Sequence, residues 1–321
     1  MKISILLPYK ENFSPDYPGA VSIYVKDTTK TSKFKDKILI YGSTNYKRKL
    51  LKNYINLPFN KELFQSSSKI YVDNFLREER KRNSDIIEIH NRPTYINTIF
   101  NNVKSKLVLY FHNDPLEMNG SKKIIDRLNI FSKVERIVFN SEWSKKRFLT
   151  GMNKIYFKSK KLLVIYQSTN KVKINLKKKD KLITFVGKLN RAKGYDIFGE
   201  AIVKILDKYP DWKSNVFGDE PREKLFYKHK NLKLMGFKQH EVVLNNFKKS
   251  SITVVCSRWQ EPFGRTSLEA SSRGCAVIIS NRGGLPETVT NAIILKKLNQ
   301  NALYKELSNL IENNKKRLKL Q

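Results

Sequence analysis

The sequence has few of the features that mark secreted, membrane-spanning or cysteine-ligated chains. Only two of its 321 residues are cysteines, Cys256 and Cys275, so neither a disulfide framework nor a cysteine-based metal cluster is expected. No run of about 20 apolar residues is present, which excludes a transmembrane helix. The first residues, MKISILLPYKENF, reach charge too early for the apolar segment of a signal peptide. These absences favour a protein of the reducing cytoplasm.

Acidic residues are scarce relative to basic ones. The chain has 29 Asp and Glu against 63 Lys and Arg, a formal net charge of +34. Such a charge attracts nucleic acid, an anionic membrane surface or phosphorylated substrates. No zinc-finger spacing or RNA-binding signature is found, so we expect no specific nucleic-acid partner. The runs KRKLLK (47–52) and KSKKLL (158–163) are typical of surfaces that bind anionic lipid, unless the charge only reflects a Lys, Asn and Ile bias of the whole sequence.

The length allows two domains with sizeable cores. Short β-rich runs alternate with longer amphipathic segments in both halves, which predicts α/β domains built on doubly wound parallel sheets. The charged segment KVKINLKKKDK (171–181) has no apolar face. We therefore predict a Rossmann-like domain over residues 1–168, a basic linker over 169–181 and a second Rossmann-like domain over 182–321. The two would face a cleft, the default ligand site in such folds.

The individual strands can be placed from the apolar runs. In the first half, strands are predicted at residues 3–7, 37–41, 86–89, 107–111, 137–139 and 162–165. In the second half, they are predicted at residues 182–186, 214–217, 232–235, 252–256, 276–279 and 292–295. Helical periodicity fills most of the intervals, as expected for βαβ units.

The strongest functional signal is the segment SRWQEPFGRTSLEASSRGCAVIIS, which lies between two apolar, strand-like runs. Pro262 and Gly264 turn the chain into a helix that is predicted to begin near residue 265. The free backbone amides at the start of a helix can bind an anion. The hydroxyl groups of Thr266 and Ser267 are predicted to add further donors. This segment therefore predicts a phosphate site at the end of a strand.

Two carboxylates and a basic loop accompany this helix. Glu261 precedes the helix and Glu269 lies one turn inside it, so both can face one crevice and accept hydrogen bonds from hydroxyl groups. Phosphate and hydroxyl recognition together indicate a sugar nucleotide, unless both carboxylates are ordinary first-turn residues. The loop GKLNRAKG places Lys188, Arg191 and Lys193 after a predicted strand. These cations would stabilise a departing diphosphate, and the alternative is a solvated basic loop.

Four segments, GKLNRAKG, EPFGRTSLEA, RGCAVIIS and NRGGLPE, resemble in their order and spacing the family 4 retaining glycosyltransferases of GT-B architecture. The resemblance covers essentially the whole second half. It implies that Glu269 holds the ribose hydroxyls of a nucleotide-diphosphate sugar, and that Glu261 orients the donor sugar near its anomeric carbon. It also implies that Lys188 and Lys193 bind the diphosphate, and that Phe237 contacts the base.

The first half resembles the same family more thinly. The segment YPGAVSIYV is similar to the family's glycine-rich loop, which implies that Gly19 approaches the diphosphate; the usual second glycine is Ala20 here. The segment VLYFHNDP is similar to the strand and loop that carry an acceptor-side histidine, which implies a catalytic role for His112. His90, at the end of another predicted strand, is a second candidate for the cleft. For each histidine the alternative is a structural role.

The resemblance and the residues together predict a cytoplasmic, metal-independent glycosyltransferase of the hexosyltransferase type. It would move a sugar from a nucleotide-diphosphate sugar to a glycan or lipid-linked acceptor, in surface polysaccharide, lipopolysaccharide or glycolipid synthesis. No cofactor is expected besides the nucleotide-diphosphate sugar as co-substrate, and no metal site is expected, because no Asp-x-Asp pair is present to hold a metal-bound diphosphate. The lysine-rich runs predict peripheral binding to the inner face of the plasma membrane.

The sequence departs from the resembled family in one respect, and it leaves two alternative functions open. The chain ends at residue 321, apparently without the last helix that usually crosses back to the first domain in the resembled family. One alternative is a non-catalytic basic module of the same fold that only binds polyanions. The other is a sugar-nucleotide epimerase or a glycan phosphorylase of the same fold.

Overall fold

A computed structural model describes residues 1–58, 66–170 and 172–321. Within these residues the chain divides into two units, residues 1–167 and residues 168–321. Each unit has a parallel β-sheet and buried apolar clusters of its own. This arrangement confirms the predicted α/β class with two parallel, doubly wound sheets.

The first unit is built on seven parallel strands among its described residues. In chain order they are β1 (Ile3–Leu6), β2 (Ile38–Gly42), β3 (Tyr54–Asn56), β4 (Ile86–His90), β5 (Lys106–Phe111), β6 (Arg136–Phe139) and β7 (Leu162–Val164). Across the sheet the order is β3-β2-β1-β4-β5-β6-β7. The order reverses between β1 and β4, and doubly wound sheets bind ligands at this switch point. The short strand β3 is not among the predicted strands.

Five helices connect these strands within the described part of the first unit. They are α1 (Ala20–Thr31), α2 (Ser67–Arg82), α3 (Ile96–Phe100), α4 (Ile124–Lys133) and α5 (Glu142–Leu149). Local capping explains where two of them begin. The hydroxyls of Ser66 and Ser141 accept hydrogen bonds from the backbone amides of Lys69 and Ser144, which would otherwise lack a partner.

The two lysine-rich runs of the first unit lie far apart. KRKLLK leads into β3, whereas KSKKLL leads into β7, and these strands form the two opposite edges of the sheet. Six inter-strand spacings of about 4.8 Å separate the edges by roughly 30 Å. The two runs that were predicted to bind a membrane together therefore lie at opposite edges of the sheet.

The second unit is built on six parallel strands among its described residues. In chain order they are β8 (Asp180–Val186), β9 (Lys213–Phe217), β10 (Leu232–Gly236), β11 (Ser250–Val255), β12 (Ala276–Ser280) and β13 (Ala292–Leu295). Across the sheet the order is β10-β9-β8-β11-β12-β13. The order reverses between β8 and β11, which places the switch point of this unit between the loops that follow these two strands.

Helices cover both faces of this second sheet. In the described residues they are α6 (Tyr195–Lys208), α7 (His240–Lys249), α8 (Arg265–Ser271), α9 (Gln300–Glu312) and α10 (Asn314–Leu320). The apolar side of α6 and of α9 is buried against the sheet together with Trp212. After α10, the Gln321 side chain donates a hydrogen bond to the backbone oxygen of Ser251 at 3.0 Å, so the end of the chain packs on this unit.

The segment predicted as a basic linker is partly built into the second unit. Residue 171 lies outside the described residues. β8 already begins at Asp180, two residues before the predicted domain start. The Lys179 ammonium group donates to the backbone oxygens of Phe247, Ser250 and Arg273 at 2.6–2.8 Å. The end of the segment is therefore an anchor for β8, because three carbonyl groups hold its lysine in place of solvent.

Both cysteines, Cys256 and Cys275, are buried free thiols. Burial raises the pKa of Cys256 to about 12, so this thiol stays protonated and inert at neutral pH. Among the helices formed by the described residues, none combines the length and the hydropathy needed to cross a bilayer.

Candidate functional site

The loops after β8 and β11 are joined at the switch point of the second unit. A 3-10 turn at Arg191–Lys193 follows β8, and the backbone oxygen of Ala192 accepts hydrogen bonds from the amides of Arg258 and Trp259 at 2.9 and 3.0 Å. Gly194 ends this turn at φ +73°, and a Cβ there would lie 2.0 Å from the Cys256 backbone oxygen. The basic loop therefore has a fixed position against the strand that leads to the carboxylates.

This contact brings Lys193 to Glu261. The Lys193 ammonium nitrogen lies 2.6 Å from Glu261 Oε1, with side chains only 28% and 11% exposed. The ammonium group also lies over the ring of Trp259, 4.8 Å from its centroid, which adds a cation–π attraction. Because an ammonium group has three donors, Lys193 can hold Glu261 and a phosphate oxygen at the same time.

Glu269 is held in a comparable way on α8. Its Oε1 accepts hydrogen bonds from His240 Nε2 at 2.9 Å and from Arg265 Nε at 2.6 Å. Burial alone would raise the pKa of the Glu269 carboxyl, but the hydrogen bond from His240 and the charge of Arg265 outweigh it and lower the pKa. Glu269 is therefore ionised at neutral pH although it is buried.

Both carboxylates keep one oxygen atom that accepts no hydrogen bond from the described residues. Glu261 and Glu269 each have Oε1 engaged by basic side chains. Their Oε2 atoms accept no hydrogen bond from the residues that the structure describes. An ionised carboxylate can accept several hydrogen bonds, so each group has capacity left for ligand hydroxyls.

The segment NRGGLPE fixes the backbone of Glu261. The Gly284 amide donates to the Glu261 backbone oxygen at 2.7 Å, and the Gly283 amide donates to Gln260 Oε1 at 2.7 Å. Gly283 has φ +62°, and a Cβ there would lie 2.1 Å from the Glu261 oxygen. Only glycine fits this position, because it combines left-handed backbone with close backbone approach.

Replacing Gly283 with alanine should destabilise the second unit, and Gly236 provides a matched control. Gly236 has φ +65° and no atom within 4 Å of its hypothetical Cβ, so alanine there meets only the backbone penalty. We expect Gly283→Ala to lower the free energy of unfolding by about 2 kcal/mol more than Gly236→Ala, through overpacking. Thermal and urea unfolding measure the difference. Equal losses for the two variants would show that the backbone of Glu261 moves away without cost.

Around the start of α8, Gly264 and Ser267 are engaged within the protein, whereas Thr266 is partly exposed. Gly264 caps the helix at φ +140°, where a Cβ would lie 2.4 Å from a methyl carbon of Leu285. The Ser267 hydroxyl, predicted to be a donor to a ligand, is fully buried. It donates to the Gly264 backbone oxygen and contacts the Thr288 hydroxyl, both at 2.7 Å, so it stabilises the turn instead. Thr266 is partly exposed and keeps its predicted place at the first turn.

The remaining predicted donor residues lie at the carboxyl ends of β8 and β10. Lys188 is exposed, and no ion pair of Lys188 is found within the described residues. Phe237, 42% exposed, directly follows β10. Between these strands, Gly218 follows β9 with φ +129°, and a Cβ there would lie 1.9 Å from the Gly187 backbone oxygen. Glycine is therefore required at residue 218, because it combines a left-handed backbone with close contact between the loops after β8 and β9.

At the switch point of the first unit, Gly19 is packed against a carboxylate. It is the N-cap of α1, and a Cβ at this residue would lie 2.0 Å from Glu11 Oε1. The same oxygen accepts a hydrogen bond from the Ser22 amide at 2.9 Å. Glu11 therefore takes the place that an anion would take at the start of this helix. A diphosphate at Gly19, as the resemblance implies, would have to displace the Glu11 side chain.

The two candidate histidines contact each other. His90 Nδ1 and His112 Nε2 lie 2.9 Å apart, and Tyr110 stacks on the His90 ring at 4.4 Å. Burial, together with the charge of His90, lowers the pKa of His112 well below its usual value, so His112 is neutral at pH 7. His112 Nδ1 and His90 Nε2 are buried without a hydrogen-bond partner in the described part of the chain. Glu88 Oε2 lies 3.6 Å from His90 Nε2.

Three contributors to these sites are absent from the sequence-based predictions: His240, Trp259 and Glu11. His240 lies 29 residues before its partner Glu269. Trp259 lies within the segment that carries the strongest signal, and its aromatic ring beside EPFG was a signal that could have found it. Glu11 lies in the loop after β1, where the sequence gives no pattern that pairs it with the start of α1.

The second unit matches a known family. Residues 167–321 match the family described as "Glycosyl transferases group 1", a region that contains both lysines and both glutamates of the site. Among curated relatives, the chain is 32% identical over 160 residues to spore coat protein SA of Bacillus subtilis (strain 168), covering 44% of this chain and 42% of that protein. It is 22% identical over 269 residues to YtcC of the same organism, covering 75% of this chain and 64% of YtcC. The chain thus spans less than two thirds of the length of these relatives.

Solved structures share the fold of the whole chain. HepE of Anabaena, in complex with UDP and glucose, superposes with a TM-score of 0.74 at 17% identity over 100% of this chain and 92% of HepE. Sucrose-phosphate synthase from Thermosynechococcus elongatus gives a TM-score of 0.76 at 14% identity with the same coverage of 100% and 92%. The lipopolysaccharide outer core galactosyltransferase WaaB gives 0.68 at 16% identity, over 97% and 90%. The fold is therefore that of the GT-B glycosyltransferases.

Proposed function

We propose that this chain is a retaining glycosyltransferase of the family 4 type that uses a nucleotide-diphosphate sugar as donor. The observation that carries the proposal is the pair of buried carboxylates at the switch point of the second unit. Glu261 and Glu269 are each held by a cation and each keep one oxygen for ligand hydroxyls. The match of residues 167–321 to glycosyl transferases group 1 supports the same reading.

In this proposal, the two carboxylates and the two lysines bind different parts of the donor. Glu269 binds the ribose hydroxyls, and Glu261 orients the hydroxyls of the donor sugar. Lys193, together with Lys188, neutralises the diphosphate as it leaves, because a fixed cation near developing negative charge stabilises the transition state. Phe237 lies against the base. That HepE was solved with UDP and glucose supports a nucleotide sugar as donor.

The transfer itself needs no enzyme nucleophile. The bond between the anomeric carbon and the diphosphate oxygen breaks, and the acceptor oxygen bonds to the same face of that carbon. The acceptor proton passes to the departing phosphate oxygen, so charge and atoms balance. We assign the acceptor to the side of His112, as the resemblance of VLYFHNDP implies; because His112 Nε2 contacts His90 and its Nδ1 is buried, a hydrogen bond from a hydroxyl group would require the loop after β5 to rearrange.

The acceptor is a growing glycan or a lipid-linked glycan, in polysaccharide, lipopolysaccharide or glycolipid synthesis. The similarity in fold to WaaB and the basic surface of the chain support this class. We propose that the reaction takes place in the cytoplasm at the inner face of the plasma membrane, with the enzyme bound peripherally. The proposed reaction needs no metal ion, because Lys188 and Lys193 supply the positive charge that a metal ion supplies in Asp-x-Asp glycosyltransferases.

A donor panel tests the proposal. The protein is incubated with UDP-, GDP- and ADP-sugars in excess chelator, and release of the nucleoside diphosphate is followed. We expect hydrolysis or transfer from one donor class, undiminished by chelator and lost in Glu261→Gln. Activity that requires added manganese or magnesium would contradict the metal-independent mechanism.

The same panel separates the alternatives. A sugar nucleotide that returns with changed stereochemistry and no free diphosphate indicates an epimerase. Sugar release that depends on inorganic phosphate indicates a phosphorylase. No turnover of any donor, with retained binding to a polyanion such as heparin, indicates a non-catalytic basic module.

A further inference from the structure

The buried contact between His90 and His112 restricts where the two rings can carry their protons. His90 Nδ1 and His112 Nε2 are 2.9 Å apart, a hydrogen-bond distance, so one of these nitrogens is protonated and the other is not. In neutral rings this leaves two arrangements. In the first, His112 donates from Nε2 and its Nδ1 is bare. In the second, His90 donates from Nδ1, and His112 carries its own proton on Nδ1.

The backbone around His112 fixes where its ring meets His90. The Asn91 side-chain oxygen accepts hydrogen bonds from the amides of His112 and Asn113, each at 3.1 Å. From the other side, the Asn140 side-chain amide donates to the His112 backbone oxygen at 3.1 Å. The loop after β5 is therefore tied to the loops after β4 and β6, and the contact between the two rings has a defined geometry.

Glu88 distinguishes the two arrangements by its charge. Its Oε2 atom lies 3.6 Å from His90 Nε2, and its Oε1 atom accepts a hydrogen bond from the Tyr110 hydroxyl at 3.4 Å. Burial and the charge of Glu88 raise the pKa of Tyr24 and of Tyr110, so both phenols are neutral and the negative charge belongs to Glu88. A carboxylate at this distance attracts a proton on His90 Nε2 and repels a lone pair there. This favours the first arrangement, in which His90 is protonated on Nε2.

Burial favours the same arrangement. His112 Nδ1 is buried and has no hydrogen-bond partner among the described residues. In the first arrangement this atom is an acceptor without a donor, whereas in the second it is an N–H group without an acceptor. Among buried backbone groups, N–H groups without a partner are rarer than under-used acceptors, and the same desolvation argument applies to a ring nitrogen.

We propose that Glu88, acting through His90, holds His112 in the tautomer that is protonated on Nε2 and bare on Nδ1. Glu88 and His90 are positioning residues, because they act on His112 and not on the acceptor. The consequence for catalysis rests on the proposed function: once the loop after β5 moves, the nitrogen that meets an acceptor hydroxyl is Nδ1, which accepts a hydrogen bond. The tautomer itself is a property of the protein without substrate.

Nitrogen NMR of the free protein measures the tautomer directly. The chain has four histidines, so protein labelled with ¹⁵N in its histidine rings gives few signals, and the signals lost in His90→Gln and in His112→Gln assign them. Protonated and bare ring nitrogens differ widely in chemical shift. At about pH 8, where imidazoles of ordinary pKa are neutral, we expect both His90 and His112 to be protonated on Nε2 and bare on Nδ1.

Glu88→Gln tests whether the charge of Glu88 sets this tautomer. Glutamine has the shape of glutamate without its charge, and its amide can donate to a bare His90 Nε2. The ratio of the Nδ1-protonated to the Nε2-protonated form of His112 should therefore rise at least about tenfold. Glu135→Gln is the matched control in the same unit. Glu135 is 45% exposed and pairs with Arg136, so its replacement should leave the tautomer of His112 unchanged.

Two results would overturn the proposal. One is a parent protein in which His112 is protonated on Nδ1, whether His90 is neutral or doubly protonated. The other is a Glu88→Gln spectrum that matches those of the parent and of Glu135→Gln. The first result needs no variant, so a folding defect in Glu88→Gln does not protect the proposal. A parent protein that has the expected tautomer but turns over no donor would confirm the proposal and contradict the proposed function.

Discussion

Replacing Lys193 with methionine should reduce donor turnover by about 100- to 1,000-fold, the effect of removing one preorganised donor that stabilises developing negative charge. Lys193 is held 2.6 Å from Glu261 and is mostly shielded from solvent, so water replaces its charge poorly. Turnover is measured as release of nucleoside diphosphate from the donor that the panel identifies. Methionine retains most of the aliphatic stem and removes the ammonium group that lies over the Trp259 ring.

Lys181 provides the control for this variant. It forms an ion pair with Asp211 at 2.5 Å, but near the amino end of β8, the opposite end of the strand from Lys193. Lys181→Met should leave turnover unchanged within about twofold, since exposed ion pairs contribute little. If Lys193→Met lowers the unfolding temperature but leaves turnover at the parent level, the ion pair with Glu261 is structural and the assignment of Lys193 to the diphosphate is wrong.

The position of Lys193 shows which part of the site could be predicted from the sequence. The strand and the loop after it are local features, and both follow from the apolar run and the glycines around GKLNRAKG. The contact with Glu261 is not local, because it needs β8 to lie beside β11, with β9 and β10 on the far side. Sheet order depends on packing between distant segments, so the residues alone predicted two separate motifs, and only the family resemblance implied that they bind one donor.

The same limit explains the two lysine-rich runs of the first unit. Both were predicted to bind an anionic membrane surface, and both lead into strands. Their separation at opposite edges follows from the order β3-β2-β1-β4-β5-β6-β7. His240 was missed for the same reason, as its partner lies 29 residues away.

Glu269→Ala should weaken binding of the free nucleoside diphosphate by about 1.5–3 kcal/mol, or roughly 10- to 150-fold in the dissociation constant, through loss of charge-assisted hydrogen bonds. The carboxyl is ionised because His240 and Arg265 hold its Oε1, and in the proposed function its Oε2 accepts hydrogen bonds from the ribose hydroxyls. Calorimetry with UDP, GDP and ADP measures the loss. Glu269→Gln should lose less, since its amide oxygen still accepts one hydrogen bond without the charge.

The control for Glu269 is a carboxylate of the same unit outside the site. Glu312 pairs with Lys208 at 3.0 Å at the end of α9, and Glu312→Ala should leave nucleotide affinity unchanged. Because the pKa of Glu269 is lowered, its contribution to binding should also be constant from pH 5 to 8, where the carboxyl stays charged. Nucleotide affinity that is the same in parent and Glu269→Ala would mean that His240 and Arg265 hold this carboxylate only to stabilise α8, and that the ribose binds elsewhere.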